Sequence, residues 1–354
     1  MIVCHGGQWT EKQGLQLTYC CRTHCGHAVR LGVSYQDNVL VDVVEGTYDL
    51  VYTIFNGTGI TVPRNIDTVI AEDIVIEGIR CPLDIVVNAR TVTPDLSMNG
   101  SPFPASIYQS ADIFLKDTIT GGLTSIGPTY SPPDSFLIIE STYDTVYRRL
   151  NGIEVPVNTE ADLPGQITID NNNQTASVDV QAIALTGDFG INGGNFPASV
   201  YNSATIYLQQ DGKEPVLLGR TNLDPEPVIV VAGTYDVVYE HAEGEVVPQN
   251  PHHIIAADQV YDSNGEVSFN ILTRDVEVTF TLNGDDFPVS AYERGDLFLR
   301  GNHPNDLIYL GPTNAAAEAA NVIQGDYDAL YQFIQSEITV PINTEAIVGQ
   351  ILVD

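Results

Sequence analysis

The sequence predicts an all-β chain of antiparallel β-sandwich domains in tandem, with a repeat of about 92 residues. Three observations carry that prediction. The stretch Gly233 to Tyr239 (Gly-Thr-Tyr-Asp-Val-Val-Tyr) returns as Gly46 to Tyr52, Ser141 to Tyr147 and Gly325 to Tyr331, so that Tyr48, Tyr143, Tyr235 and Tyr327 stand 95, 92 and 92 residues apart. That period is domain-sized and well above the ~20 to 50 residues of solenoid repeats. Apolar and polar residues alternate within each copy, which is the period of a strand. Asn-Gly dipeptides, the turn chemistry of hairpins, recur at one place in the repeat: Asn99-Gly100, Asn192-Gly193 and Asn283-Gly284. Only the alanine-rich insertion Ala315 to Ala320 has a helical composition, and it is expected to form a loop or a single turn.

Residues 1 to 30 stand apart in composition. They hold four of the five cysteines (Cys4, Cys20, Cys21, Cys25), three of the seven histidines (His5, His24, His27), the only tryptophan, Trp9, and one acidic residue, Glu11. Zinc, from Cys21-x3-Cys25 with His24, His27 and Cys4, and a disulfide-stapled cap are both open readings, but the spacing does not give the two matched Cys-x-x-Cys or Cys-x-x-His pairs that make a zinc assignment strong. The repeat phase favours a third, a poorly ordered or non-native leader, because Leu31-Gly32 aligns with Leu218-Gly219 in the middle of a repeat. Residues 31 to 80 then form the C-terminal half of a sandwich, whose open edges invite self-association or strand exchange.

Three full repeats are expected at 81 to 170, 171 to 262 and 263 to 354. Each opens on an alternating strand: Leu83 to Val87, Val178 to Leu185, and Val267 to Ile271 running on to Phe280. After the Asn-Gly turn comes the loop Phe-Pro-x-Ser-x-Tyr at Phe103 to Tyr108, Phe196 to Tyr201 and Phe287 to Tyr292, expected to be pinned by an aromatic at each end. A short strand (Asp112 to Leu115, Thr205 to Leu208, Asp296 to Leu299) leads to a strand end at Ile126-Gly127, Leu218-Gly219 or Leu310-Gly311. In the Tyr-Asp strand, Tyr235, Val237 and Tyr239 share an inward face and Asp236 lies on the opposite, wet face, placed to answer a backbone N–H or a cross-strand partner. Val-Pro-x-Asn (Val62 to Asn65, Val155 to Asn158, Val247 to Asn250, Val340 to Asn343) marks a turn or edge, since Pro cannot donate to a ladder and Asn tolerates a left-handed backbone. A last strand closes each copy at Gln166 to Ile169, Ile254 to Val260 and Gln350 to Val353.

An apolar strand running into Gly-Thr-Tyr-Asp-Val-Val-Tyr resembles the closing hairpin of the carboxypeptidase-regulatory-like and Cna-B-type families, small transthyretin-like sandwiches found in tandem in bacterial secreted and surface proteins. The resemblance implies an immunoglobulin-like or transthyretin-like sandwich and an extracellular or cell-surface setting. It does not extend to the intramolecular isopeptide bond of some Cna-B domains, because Lys12, Lys116 and Lys213 do not recur in register.

Charge bounds the partners. With 46 acidic against 14 basic residues the net charge is −32, a surface that repels phosphate backbones and anionic lipid. Nucleic acid and membrane insertion are excluded as expectations, and other proteins or surface polymers and glycans remain. The amino terminus lacks the basic, apolar, small-residue order of a secretion signal, so the sequence is expected to be a mature chain or to lack its true start. No nucleophile elbow, phosphate loop or dinucleotide fingerprint is present, and His241, His252, His253 and His303 do not recur, so no catalytic residue is assigned and the chain is read as non-enzymatic. No cofactor is assigned. Asp170 to Asn173 and Asp262 to Glu266 offer calcium-type oxygen donors at the repeat junctions, but the same residues are good turn formers, which is the favoured reading. The expected function is a spacer, stalk or adhesive array. Carbohydrate-binding modules and a strand-exchanging filament subunit are the alternatives, and exposure of Tyr108, Tyr201 and Tyr292 would favour the sugar reading.

Overall fold

The structure, a computed structural model, describes residues 2–4, 15–21, 28–32, 39–54, 61–78, 81–83, 85–172, 174–315, 319–335 and 339–354. The described residues are strand, turn and loop. The chain divides into two compact units, Met1–Ala182 and Ile183–Asp354, each holding two repeats.

The second repeat gives the plan. One sheet is antiparallel and four-stranded, in the order Leu123–Pro128, Ser110–Asp117, Ser141–Asn151, Glu160–Ile169. The facing sheet runs Phe136–Ile139, Ala89–Met98, Thr175–Val180, and its last pair is parallel. The third repeat copies both sheets, with Ser203–Gln209 and Gly233–Glu243 central in one, and Ala182–Ile191 between Val228–Val231 and the parallel Gly265–Ile271 in the other.

The Tyr-Asp strand is central in its sheet, and its tyrosine face fills the core as expected: Tyr143, Tyr147, Tyr235 and Tyr239 are all buried. The Asp face is drier than expected. Asp49 is 6% exposed, and Asp144, Asp236 and Asp328 are half-buried. Each Asp answers the next strand of the sheet. Asp236 accepts the Asp258 N–H at 2.8 Å and Asp49 the Asp73 N–H at 3.2 Å, while Asp144 and Asp328 accept the side-chain amides of Gln166 and Gln350. Asp73 and Asp258 have φ of 54°, at register shifts in their strands. The Ile/Leu-Gly positions, read as strand ends, are bulges: Ile126, Leu218 and Leu310 drop out of the ladder and are buried.

The three expected opening strands are corrected. Val178 to Leu185 is two strands, not one: Thr175–Val180 completes the second repeat and Ala182–Ile191 begins the third. In the same way Gly265–Ile271 completes the third repeat and Thr273–Val276 begins the fourth, while Cys81–Leu83 pairs with Ile2–Cys4, and Val86 in the expected opening strand is exposed. The changeovers therefore fall at Gln181 and Leu272. Alternation runs through them almost unbroken, and nothing in a period of two marks where a strand changes sandwich.

The first 30 residues, expected as an atypical leader, contain described strands. Leu15–Cys21 lies between Ala28–Gly32 and Gly46–Ile54, and Ile2–Cys4 pairs with Val39–Val41. These strands stand where the half repeat was expected to be open, and Leu31 is the bulged residue opposite Leu17, in phase with Leu218. Composition set the segment apart while its strand order continues the repeat. The zinc and disulfide readings of His5, His24, Cys25 and His27, and of the Cys4, Cys20 and Cys21 side chains, lie outside the described residues, as do 316–318 of the alanine-rich insertion; Ala320 opens the strand Ala320–Ile323.

Candidate functional sites: the repeat junctions and the loop tips

No catalytic constellation was expected, and among the described residues no group of three or more His, Cys, Asp or Glu is placed to hold a metal ion. The Asp170 carboxylate accepts the Asn172 N–H at 2.7 Å and Asp262 accepts the Ser263 hydroxyl at 3.2 Å, so both are engaged in local turn hydrogen bonds. What the structure does build, repeat after repeat, is a pair of tyrosine anchors and a clasp between neighbouring repeats.

The anchors come first. The leading tyrosine of each Tyr-Asp strand donates its hydroxyl to the carbonyl four residues upstream: Tyr143 to Ile139 (2.8 Å), Tyr235 to Val231 (2.6 Å), Tyr327 to Ile323 (2.7 Å) and Tyr48 to Val44 (2.5 Å). The second tyrosine donates to the proline carbonyl of Val-Pro-x-Asn: Tyr52 to Pro63, Tyr147 to Pro156, Tyr239 to Pro248 and Tyr331 to Pro341. Buried hydroxyls need such partners. Burial also raises the phenol pKa of Tyr52, Tyr143, Tyr147, Tyr239 and Tyr327 far above the ordinary tyrosine range.

Two residues past that proline, the Asn side chain crosses to the next repeat. Asn65, fully buried, accepts the Ile139 N–H at 2.8 Å and donates to the Tyr143 hydroxyl at 2.8 Å and to Thr68 at 3.0 Å. Asn250 repeats this against the fourth repeat, accepting the Ile323 N–H at 2.9 Å and donating to Tyr327 at 2.9 Å. A backbone bond flanks each clasp, Arg64 N–H to Leu137 and Gln249 N–H to Asn321. The sequence marks this motif as a turn or edge. The signal missed was that an amide with both donors and an acceptor, at fixed distance from a buried tyrosine, can satisfy one backbone N–H and one hydroxyl together.

The surroundings of the two clasps differ. At the first junction Arg64 lies 4.8 Å over the Phe136 ring, and Ile66 N–H donates to the buried Thr124 hydroxyl at 3.1 Å. At the other, the Asn250 amide also donates to Asp306 (3.0 Å), whose carboxylate is fully buried and 2.7 Å from His253 Nδ1. His253 stacks on Tyr327 at 6.2 Å, and His252 lies 4.1 Å from His303, whose pKa is lowered by burial and by His252.

The second recurring site is the tip of the Phe-Pro-x-Ser-x-Tyr loop. Its phenylalanine end is anchored, with Phe103 and Phe196 buried and Phe287 packed against the last core. Its tyrosine end is not: Tyr108, Tyr201 and Tyr292 are 75%, 70% and 75% exposed. The expectation of a pin at both ends is corrected. The serine shapes the tip by accepting the tyrosine N–H at 3.2 Å in all three copies. Exposed apolar residues flank the rings, Ile107, Val200 and Val289 on the loop and Ile153 and Val246 on the neighbouring turns.

No family model and no curated protein matches the sequence. Solved structures with some likeness include the TIE protein of Bacillus anthracis (14% identity, 76% of this chain and 50% of that one, TM-score 0.19) and a streptococcal ancillary pilin (8%, 75% and 98%, 0.19). Two B repeat units of the collagen binding protein of Staphylococcus aureus match at 9% identity over 94% of this chain and 92% of that one, with a TM-score of 0.16. The chain spans half the length of the Bacillus protein, and at these scores none of the three carries an argument about this chain.

Proposed function

We propose that this chain is a non-enzymatic, bacterial, extracellular or cell-surface repeat protein that works as a spacer carrying adhesive loop tips. The observation that carries the reading is the clasp. Asn65 and Asn250 each commit a buried amide to joining one repeat to the next, a use of buried polar groups that favours a defined junction over a loose linker. The Tyr-Asp hairpin's resemblance to tandem surface domains points the same way, and so does the acidic surface, which keeps such an array soluble.

Small-angle X-ray scattering of the full chain tests this. A spacer gives a radius of gyration well above the ~20 Å of a compact globule of this length. A compact globule, or turnover of any substrate, ends the proposal. No cofactor is required, so chelator leaves the thermal midpoint unchanged, and a rise with calcium would instead put ions at Asp170 and Asp262.

One observation favours a second reading, carbohydrate binding. The exposure of Tyr108, Tyr201 and Tyr292 supplies one open aromatic face per repeat, suited to stacking on sugar rings or on a protein partner. In a glycan array, binding that is lost in the Tyr108→Ala, Tyr201→Ala, Tyr292→Ala triple variant would make these repeats carbohydrate-binding modules. Binding that survives the triple change removes this second reading.

A further inference from the structure

The parallel strand that completes the second and third repeats has no counterpart among the described residues of the fourth. In the second repeat Thr175–Val180 runs beside Thr93–Met98, and in the third Gly265–Ile271 runs beside Leu185–Ile191. Their opening strands, Ala89–Met98 and Ala182–Ile191, are ten residues long. The fourth opens with Thr273–Val276, four residues that among the described residues pair only with Ala320–Ile323, and the stretch 277–281 joins no sheet of the described residues. Val276, Val278 and Phe280 alternate there as Leu185, Gly187 and Phe189 do in the third repeat. The three fourth-repeat residues are only partly buried, and Val278 and Phe280, with Phe287, border a cleft of about 350 Å³.

The seated strands share more than alternation. Residues 176 to 182 read Ala-Ser-Val-Asp-Val-Gln-Ala and residues 267 to 273 read Val-Ser-Phe-Asn-Ile-Leu-Thr. Ala176, Val178, Val180, Val267 and Ile271 are buried. The Asx side chain caps the hairpin, with Gly100 N–H donating to Asp179 at 2.9 Å and Gly193 N–H to Asn270 at 2.8 Å. The last residue is gripped by the turn asparagine: Asn99 Oδ1 accepts the Ala182 N–H and Asn192 Oδ1 the Thr273 N–H, both at 2.9 Å. The fourth repeat keeps the gripping parts. Asn283 has φ of 58°, against 51° and 49° for Asn99 and Asn192, and Gly284 follows it. Asn283 is exposed and, among the described residues, its side chain and the Gly284 N–H have no partner.

We propose that the 277–283 edge of the fourth repeat is an acceptor for one parallel strand from another polypeptide, of the pattern apolar-Ser-apolar-Asx-apolar-x-Ala/Thr. Both segments with that pattern among residues 1–354 are already seated in their own repeats, so neither can fill this edge without vacating its own. In the register of the third repeat its three apolar residues lie beside Val278, Phe280 and Leu282, its Asx caps Gly284, and Asn283 grips its last residue. Main-chain pairing supplies affinity and the alternate side chains supply selectivity, as in other strand additions. The inference rests on strand pairing and holds whether or not the chain is a spacer.

The test adds a peptide of residues 264 to 273 to the full chain and follows hydrogen exchange of the amides at 277–283. Saturable protection is expected, abolished when the peptide residues equivalent to Val267 and Ile271 are Asp. Asn283→Ala should weaken it about tenfold, the loss of a gripping hydrogen bond, and since Asn283 is exposed this variant keeps its fold. Absence of protection at millimolar peptide, equal protection by a scrambled peptide, or protection without peptide that grows with protein concentration would each overturn the assignment.

Discussion

The two described junctions use one clasp in two settings. At the first, the hydrogen-bond partners of Asn65 are all neutral, among them Thr68 and Tyr143, with Thr124 answering the Ile66 N–H nearby and the Asp117 carboxylate bonded to its own turn instead. At the other, Asn250 has a buried carboxylate and an imidazole as neighbours, Asp306 and His253. The atoms that join the repeats are the same, namely an Ile N–H, a Tyr hydroxyl and the Asn amide. The joint is therefore carried by the Asn–Tyr–Ile set, and the groups around it are free to change. What the change alters is the cost of damage. A neutral neighbour that loses its partner leaves one unsatisfied dipole, while a buried carboxylate that loses its partners leaves a charge out of water.

The largest expected effect comes from that charge. Asn250→Leu removes the clasp and one of the Asp306 donors together, and should destabilise the second unit by about 3 to 4 kcal/mol, in the range for breaking a buried charged pair. Asn65→Leu, with no carboxylate to strand, should cost about 2 kcal/mol, roughly one buried donor and one buried hydroxyl left wanting. Denaturant unfolding of the full chain, with the two transitions assigned by site-specific fluorescence, measures both. Equal losses would mean that Asp306 takes its stability from His253 and the turn it closes, and not from the clasp. Asn343, the same motif position with its side chain exposed, is the internal control, and Asn343→Leu should move stability by less than about 0.5 kcal/mol.

A smaller loss is expected at the glycine that makes room for the charged setting. A Cβ on Gly301 would sit 1.9 Å from Asp306 Oδ2 and 3.2 Å from His253 Nδ1, so Gly301→Ala forces that pair apart. About 1 to 3 kcal/mol is expected, as for other overpacked sites. Gly122→Ala does the same at the first junction against the Ile66 carbonyl, 2.3 Å away. Because backbone cannot rotate aside as a carboxylate can, Gly122→Ala should cost the more of the two, and the reverse order in the same unfolding assay would show the first junction to be the softer one.

The all-β class and the inward tyrosine face were legible because they rest on period and spacing, and both are properties of a strand by itself. The hydrogen-bonding role of the Asp in the Tyr-Asp pair was legible for the same reason, but the dryness of its face was not. The clasp was not. Asn65 and Tyr143 lie 78 residues apart, and only the packing of one sandwich on the next brings them within 2.8 Å. The parallel strands were hidden in another way: Thr175–Val180 and Ala182–Ile191 read as one alternating run, and the division between them is made by Asn99, 83 residues upstream, binding both the N–H and the carbonyl of Ala182. In residues 1 to 30 composition and phase both pointed away from a sandwich strand, and the pairings of Ile2–Cys4 with Val39–Val41 and of Leu15–Cys21 with Gly46–Ile54 join residues whose spacing carries no repeat motif.

The smallest difference between the junctions should appear at high pH, where they share a vulnerability. Tyr143 and Tyr327 both have pKa values raised, first by burial, with the Asn amide lowering them and a nearby carboxylate, Asp117 or Asp306, adding a further rise. A phenol whose pKa is higher folded than unfolded contributes stability that is intact below the unfolded value of about 10 and is lost as pH climbs above it, because only the unfolded chain releases the proton. Each such tyrosine takes away about 1.4 kcal/mol per pH unit above that point. Tyr147 and Tyr239 add to the effect in the second and third repeats, so both units should unfold cooperatively in alkali with tyrosinate absorbance appearing at the transition and not before it. Tyr143→Phe and Tyr327→Phe each remove one titrating group, and each should make the alkaline loss of its own unit shallower by the same slope. Unequal changes would show that the carboxylate beside Tyr327 acts on the hydroxyl more strongly than the one beside Tyr143, and would carry the contrast between the two junctions down to the tyrosine itself.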